Sequence, residues 1–485
     1  MNSKFIPSWK TLHRAWSDWR KSEELPKFSP ELPDKESTRI ETLMAECLAA
    51  RHGVVSARQH AATLGEVYLT LNGTGRKRFL EILAKRFSAD HDLVRETSRK
   101  LADSPDDEAF NRQLLALREV LAPPRQQLLQ QFNALPQGVK FLIDMRHELL
   151  RFMADTPELK GLDYDLKQLL ATWFDVGFLR LERITWQSPA ALLEKLMDYE
   201  AVHAINSWRE LHHRLESDRH CYAFFHPVLP DEPLIFVEVA LVQGLAGSIQ
   251  ILLDEEEPEV DPAEADTAIF YSISNAQAGL RGISFGPFLI KKVVASLSAE
   301  LPDLKTFSTL SPIPGFRAWL EKKLAAGQID SFAELLATAA ERLGVEANLA
   351  AVIDNPVWPT HEEVCELLRE PLLILCARYL HERRERDQIP LDPVARFHLG
   401  NGSRIERINW LGDTSPKGMR ESCGLMVNYR YRLDEIEKNI EAYATAKQIA
   451  AASRIRNLLR DEEEKGLLSG LKRLWSTNRE NQPTE

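Results

Sequence analysis

The sequence predicts an α+β chain, an all-helical bundle followed by a mixed α/β domain. Three observations carry that reading. From about Thr38 to Phe174 apolar residues recur at helical spacing and no stretch alternates as a strand does. Leu234 to Val242, LIFVEVALV, is a short apolar run rich in β-formers, as expected of a strand buried on both faces. Ala268 to Phe316 reads as strand, glycine loop, helix, strand. A chain of 485 residues is also long for one core. The divisions fall at 1–176 for the helices, 177–462 for the α/β domain and 463–485 for a charged tail.

Residues 1–35 have little periodicity and several prolines, as in a partly ordered arm. The helical region breaks at Gly53, Gly73-Thr74-Gly75, Ser88-Ala89-Asp90, Ser104-Pro105-Asp106, Pro123-Pro124 and Pro136-Gln137-Gly138, which predicts roughly six to eight helices. Ser104 to Asp107 reads as a start signal, with Pro105 near the first turn. Leu179–Trp186 is a strand candidate entering the second domain. Helices follow over Ser188–Asp198 and Trp208–Leu215, and the chain turns β-rich from Cys221. Asp254–Asp266 is acidic, holds two prolines and reads as a solvated loop.

The stretch from Ala268 organises the second domain. Ala268–Ser274 is a buried strand. Gly279, Gly282 and Gly286 mark a loop, and Leu289, Ile290, Val293, Val294, Leu297 and Leu301 form one helical face. Pro287 suits the first turn of that helix. A second strand, Lys305–Leu310, ends at Ser311-Pro312. This is a βαβ unit with parallel strands. Its loop fits two uses. Glycines and a helix N-terminus receive anions, with Arg281 and Gln277 as side-chain donors, or the glycines serve only the turns of a crossover. The loop matches neither G-x-G-x-x-G nor a Walker A.

Ser331–Leu343 and His361–Asp387 are helical by pattern, the latter ending in the charge run HERRERD. Strands at Ile405–Trp410 and Leu425–Tyr431 are joined by a glycine-containing loop, and the tail is helical from Asn439.

Composition narrows the function classes. The net charge of −11 disfavours a dedicated nucleic-acid binder. Five dispersed cysteines form no C-x-x-C, so neither a zinc site nor a redox pair is indicated and a reducing compartment is the default. No apolar run reaches membrane-spanning length. With no apolar signal core, and with Asp18, Glu23 and Glu24 against a presequence, the expected home is the cytoplasm.

Two residues stand out for chemistry. His398 precedes Gly400-Asn401-Gly402, a turn that leaves room for a ligand, and an imidazole titrates near neutrality. Ser311 ends a strand, where ligands of open α/β sheets lie. Each also reads as an ordinary packed or turn residue. Glu238 inside LIFVEVALV is a buried-carboxylate candidate or an edge residue. Asn409, Tyr429 and Tyr431 read as packed strand residues with one polar end, and His226-Pro227 as structural.

Taken together, FLRLERITW (178–186), CYAFFHPVLPDEPLIFVEVAL (221–241), AIFYSIS (268–274), QAGLRGISFGPFLIKKVV (277–294), FSTLSPIPGF (307–316), FHLGNGSRIERINW (397–410) and SCGLMVNYRY (422–431) resemble the malonyl-CoA decarboxylase family, in the family's order over about 250 residues. The resemblance implies a helical oligomerisation domain and a catalytic domain with the acyl-CoA core of the GCN5-related N-acetyltransferases, in which a parallel strand pair splays. It implies that Arg281, Gly282, Ile283, Ser284, Phe285, Gly286 and Pro287 form the CoA phosphate loop, that Ser272 and Asn401 join the binding set, and that Ser311 and His398 are catalytic with Tyr431 in support. Animal members carry a glutamate where this chain has Ser284. The implied reaction is malonyl-CoA to acetyl-CoA and CO2 without cofactor or metal, by a homodimer or homotetramer that uses neither nucleic acid nor membrane. The alternative is an acyltransferase using the same CoA site.

Overall fold

The structure, a computed structural model, describes residues 16, 25–49, 54–230, 232–283 and 288–460. It divides into two compact units. The first comprises residues up to Arg180 with Phe225–Leu234 and Asn275–Ser284, and the second comprises the remainder.

The first unit holds eight α-helices among the described residues: α1 (Asp34–Ala49), α2 (Val54–Thr70), α3 (Gly73–Arg86), α4 (His91–Ala102), α5 (Asp107–Leu121), α6 (Pro124–Asn133), α7 (Gly138–Phe152) and α8 (Lys160–Trp173). The start signals act as polar caps. Asp90 accepts the N–H groups of Asp92 and Leu93, and Asp106 accepts that of Ala109. Pro105 therefore precedes the cap rather than entering the first turn. Aromatic edges make the centre of the core: Trp16 against Phe141 at 4.9 Å, Tyr68 against Phe79 at 5.0 Å, and Phe132 against Phe141 at 5.2 Å. Trp16 also donates to the Pro136 carbonyl at 2.8 Å.

The second unit is built on an eight-stranded mixed sheet: β1 (Arg180–Ile184), β2 (Arg219–Phe225), β3 (Ile235–Val242), β4 (Thr267–Asn275), β5 (Thr306–Thr309), β6 (Ser311–Pro312), β7 (Arg404–Asn409) and β8 (Met426–Tyr431). The order is β1-β2-β3-β4-β5-β8-β6, and β7 also pairs with β8. Of β3, only Val242 is not fully buried, which explains its apolar sequence, interrupted by Glu238 alone. The crossover between β4 and β5 contains the helix Phe288–Glu300, and β4 and β5 are parallel as the βαβ pattern requires.

That parallel pair splays. The ladder runs from Thr267/Thr306 to Phe270/Thr309, with a last bond from the Leu310 N–H to the Phe270 carbonyl at 3.0 Å. Beyond it β4 continues through Ser272 to Asn275, while the chain after Leu310 follows β8 instead. β5 and β6 keep one antiparallel register on β8, Phe307 opposite Tyr431 and Ser311 opposite Val427. At the break side chains replace ladder bonds. The Asn428 amide donates to the Thr309 carbonyl at 2.7 Å, and the Tyr429 N–H donates to Thr309 Oγ1 at 3.1 Å.

Three segment expectations need correction. The helix from Glu362 ends at His381, and the charge run turns away from it, with Arg383 bridging back to Pro390. β7 and β8 are separated by a helix, Pro416–Ser422, whose Ser415 cap and following proline are its start signal. The tail is helical in two pieces, Ile436–Ala446, capped by Lys447 in the left-handed region, and residues 453–460, with a break between them. Residues 284–287 of the glycine loop, the first residues of the N-terminal arm other than Trp16, and the tail beyond residue 460 lie outside the described residues.

Candidate active site

Three distant segments of the second unit bring Ser311, His398 and Tyr431 together. Ser311 stands on β6 immediately after the strand break, 5 % exposed. His398 is carried by a two-turn helix, Pro393–Gly400, here α9, and is 4 % exposed. Tyr431 ends β8. His398 Nε2 lies 3.2 Å from Ser311 Oγ, and Nδ1 lies 2.8 Å from the Tyr431 hydroxyl. Ser311 Oγ donates to Thr309 Oγ1 at 2.8 Å. The result is a continuous buried chain, Tyr431–His398–Ser311–Thr309.

A helix this short is marginal alone, and both its ends are fixed. Asp392 accepts the Ala395 N–H at 2.7 Å and Pro393 occupies the first turn. At the other end Gly402 donates to the Leu399 carbonyl and Ser403 donates to that of His398, at 3.0 and 3.2 Å. This is a Schellman closure with Gly402 at φ +84°. The glycine after His398 therefore closes the helix, where the sequence reading gave it to ligand space. A Cβ there would stand 2.5 Å from the Ile436 carbonyl oxygen. Asn401 caps the helix with its backbone, and its buried side-chain nitrogen has no hydrogen-bond partner among the described residues.

Burial sets the electrostatics. With no charged partner among the described residues, desolvation lowers the His398 pKa to about 3, so the resting imidazole is neutral. Burial likewise raises the Tyr431 phenol well above its ordinary value. Asp392, beneath the same helix, is raised to about 6, chiefly by burial.

Ser272, on β4 past the splay, shares its hydroxyl hydrogen between the two oxygens of Glu200, 2.8 and 2.7 Å away, and Ser274 donates to Glu200 at 2.8 Å. Glu200 also accepts the N–H groups of Val202 and His203. Sequence reasoning missed this carboxylate, since nothing in its neighbours marks it. Glu238 is fully buried and paired to Arg214 at 2.8 Å, and burial raises its pKa to about 7.

Arg281, Gly282 and Ile283 belong to the first unit. Arg146 donates to the carbonyls of Gly279 and Arg281 at 2.6 and 3.0 Å and pairs with Asp163, which fixes the turn. Gly282 has φ +79°, Arg281 is exposed, and Lys167 Nζ lies 3.3 Å from where a Cβ of Gly282 would stand. Gln277, expected to be a free donor, is buried and spends its amide on the Pro233 carbonyl at 3.1 Å. Ser284, Phe285, Gly286 and Pro287 fall outside the described residues.

A buried hydroxyl, imidazole and phenol are aligned in one hydrogen-bonded chain beside a splayed parallel strand pair. Comparison with known proteins specifies the class. The chain matches the malonyl-CoA decarboxylase C-terminal domain over residues 177–468 and the N-terminal domain over 87–174. It is 41% identical over 401 residues to the mitochondrial malonyl-CoA decarboxylase of Anser anser anser, covering 79% of each chain. It is 36% identical over 448 residues to that of Rattus norvegicus, covering 88% of this chain and 87% of the relative. The crystal structure of malonyl-CoA decarboxylase from Rhodopseudomonas palustris superposes with a TM-score of 0.78 at 42% identity, covering 87% of this chain and 99% of that one. That from Agrobacterium vitis gives 0.76 at 41%, with 87% and 99% covered. The chain belongs to the malonyl-CoA decarboxylase family.

Proposed function

We propose that this protein decarboxylates malonyl-CoA to acetyl-CoA and CO2, with Ser311 and His398 as the reacting pair and Tyr431 in support. The observation that carries the reading is the buried Ser311–His398–Tyr431 chain on a family fold. The bond from the carboxylate carbon to C2 breaks, CO2 leaves, and the electron pair becomes an enolate of the thioester. The thioester is itself the electron sink. A donor at the enolate oxygen lowers the barrier, and one such donor is worth about 10²–10³ in rate. Ser311 supplies that donor. One proton, ultimately from solvent, reaches C2 through the Ser311–His398 pair.

In this reading Arg281, Gly282 and Ile283, with Ser284, Phe285, Gly286 and Pro287, hold the CoA phosphates. Exposed Arg281 and neighbouring Lys167 support it, being cations beside a glycine turn. Ser272 and Asn401 complete the binding set, the unpartnered Asn401 amide supporting the latter.

We also infer that the helical domain self-associates into a homodimer or homotetramer. The α4–α5 pair buries only Thr97 and leaves Leu93, Phe110, Leu115 and Leu121 about half exposed, apolar surface that a second copy would cover. Among the described residues no helix is long and apolar enough to cross a membrane. Five free cysteines support a reducing compartment, and we place the protein in the cytoplasm. Fractionation of the native host tests this, since the curated relatives are named mitochondrial.

The activity is tested by incubating the protein with malonyl-CoA and no acceptor. Equimolar acetyl-CoA and CO2 support the reading. Turnover only when an amine acceptor is added identifies an acyltransferase instead.

A further inference from the structure

We infer that Thr309 is a positioning residue that fixes the direction of the hydrogen bonds through Ser311 and His398, and with it which imidazole nitrogen carries the proton. The inference rests on the proposal that Ser311 and His398 react.

Thr309 is fully buried on β5, two residues before Ser311, so the two hydroxyls share one face of the strand. Its Oγ1 accepts the Tyr429 N–H at 3.1 Å and the Ser311 hydroxyl at 2.8 Å. A serine hydroxyl has one hydrogen. With that hydrogen on Thr309, the 3.2 Å contact between Ser311 and His398 is made by a hydrogen on Nε2. A neutral imidazole has only one N–H, so Nδ1 is bare and the Tyr431 hydroxyl donates to it across 2.8 Å. The three bonds therefore run one way: Tyr431 to His398, His398 to Ser311, Ser311 to Thr309.

This polarity is the reverse of a hydrolytic triad, where the imidazole accepts the serine proton and releases a nucleophile. Here the N–H stands behind Ser311. The serine hydrogen, parked on Thr309, is free to rotate onto a ligand oxygen or carbanion without being pulled from the ring. That is a donor's arrangement, which suits an enolate and disfavours an acyl-serine. Without the Thr309 hydroxyl, the remaining acceptor for Ser311 is His398 Nε2. The tautomer then inverts and the serine hydrogen is committed to the ring.

The test has two parts. In wild-type protein labelled with ¹⁵N-histidine and assigned with His398→Asn, the protonated nitrogen of His398 should be Nε2. In Thr309→Val it should be Nδ1. In steady state Thr309→Val should lower kcat by about tenfold or more with KM for malonyl-CoA within about twofold, and Thr309→Ser should restore it. A wild-type Nδ1–H, which needs no variant to detect, overturns the inference. So does a folded Thr309→Val with wild-type kcat. Ser311→Ala and His398→Asn run in parallel separate the two levels. If they retain full turnover, the reacting pair is wrong. If they lose it while Thr309→Val does not, only the role of Thr309 fails.

Discussion

The His398 imidazole stacks on the Tyr429 ring, centroids 4.6 Å apart and planes inclined by 22°. Tyr429 and Tyr431 are two apart on β8, so one face of a single strand supplies both the plate beneath the imidazole and the hydroxyl at its Nδ1. Ring position and ring rotation are thus set together, and the cost is a buried imidazole with no charge partner.

That cost is visible in pH dependence. The folded His398 pKa, about 3, lies below the ordinary 6.5. As pH falls below 6.5 the unfolded chain binds a proton that the native state refuses, so stability falls, by about 2 kcal/mol from this residue at pH 5. His398→Asn should flatten the decline of Tm between pH 6.5 and 4.5. An unchanged slope would show that His398 is not buried neutral. By the same reasoning kcat/KM should show no His398 inflection between pH 5.5 and 8.

Tyr431→Phe keeps the strand packing and removes the only partner of His398 Nδ1 among the described residues. We expect kcat to fall about tenfold or more with little change in KM, from steady-state kinetics on malonyl-CoA. An equal loss in Phe and Leu variants would instead assign the effect to packing.

Gly402→Ala should cost at least about 1 kcal/mol, because alanine opposes φ +84° and its Cβ meets the Ile436 carbonyl. Since Ser403 holds the His398 carbonyl through this closure, kcat should fall with Tm. Thermal melts and turnover on one preparation measure both. A variant with lowered Tm and intact kcat would uncouple the closure from the imidazole.

Arg214→Met leaves the Glu238 carboxylate buried without its cation. Such losses run to about 3–5 kcal/mol. Denaturant unfolding should show it. Arg214→Met with Glu238→Gln should recover part, since the neutral amide carries no charge to desolvate.

Leu115→Glu, on the exposed face of α5, should shift the protein toward monomer by light scattering without changing monomer helicity. An unaltered mass places the interface elsewhere.

Much of the architecture was legible because periodicity is a local property. The strands around Ala268 and Leu234 and the helices from Thr38 to Phe174 lie within a few residues of their expected bounds. The helix bearing His398 was missed because two turns are too short to show a period, although Asp392-Pro393 and Gly402 are its caps. Ser311 and His398 emerged partly from their strand-end and turn settings, while their pairing and the part given to Tyr431 came from family resemblance. Glu200 carried no signal because its contact with Ser272 lies 72 residues away, and Thr309 carried none because a threonine two residues before a serine is common and only the Tyr429 N–H, 120 residues on, holds its hydroxyl in place beside Ser311. Gln277 shows the converse, a polar residue in a suggestive loop that the fold uses internally.

The most direct test is turnover of malonyl-CoA alone by wild type, Ser311→Ala and His398→Asn, each shown to be folded and able to bind CoA. The wild-type protein should release acetyl-CoA and CO2 in equal amounts, and each variant should lose about 10²-fold or more in kcat. Variants that keep the wild-type rate would contradict the assignment of this hydroxyl and imidazole to the reaction.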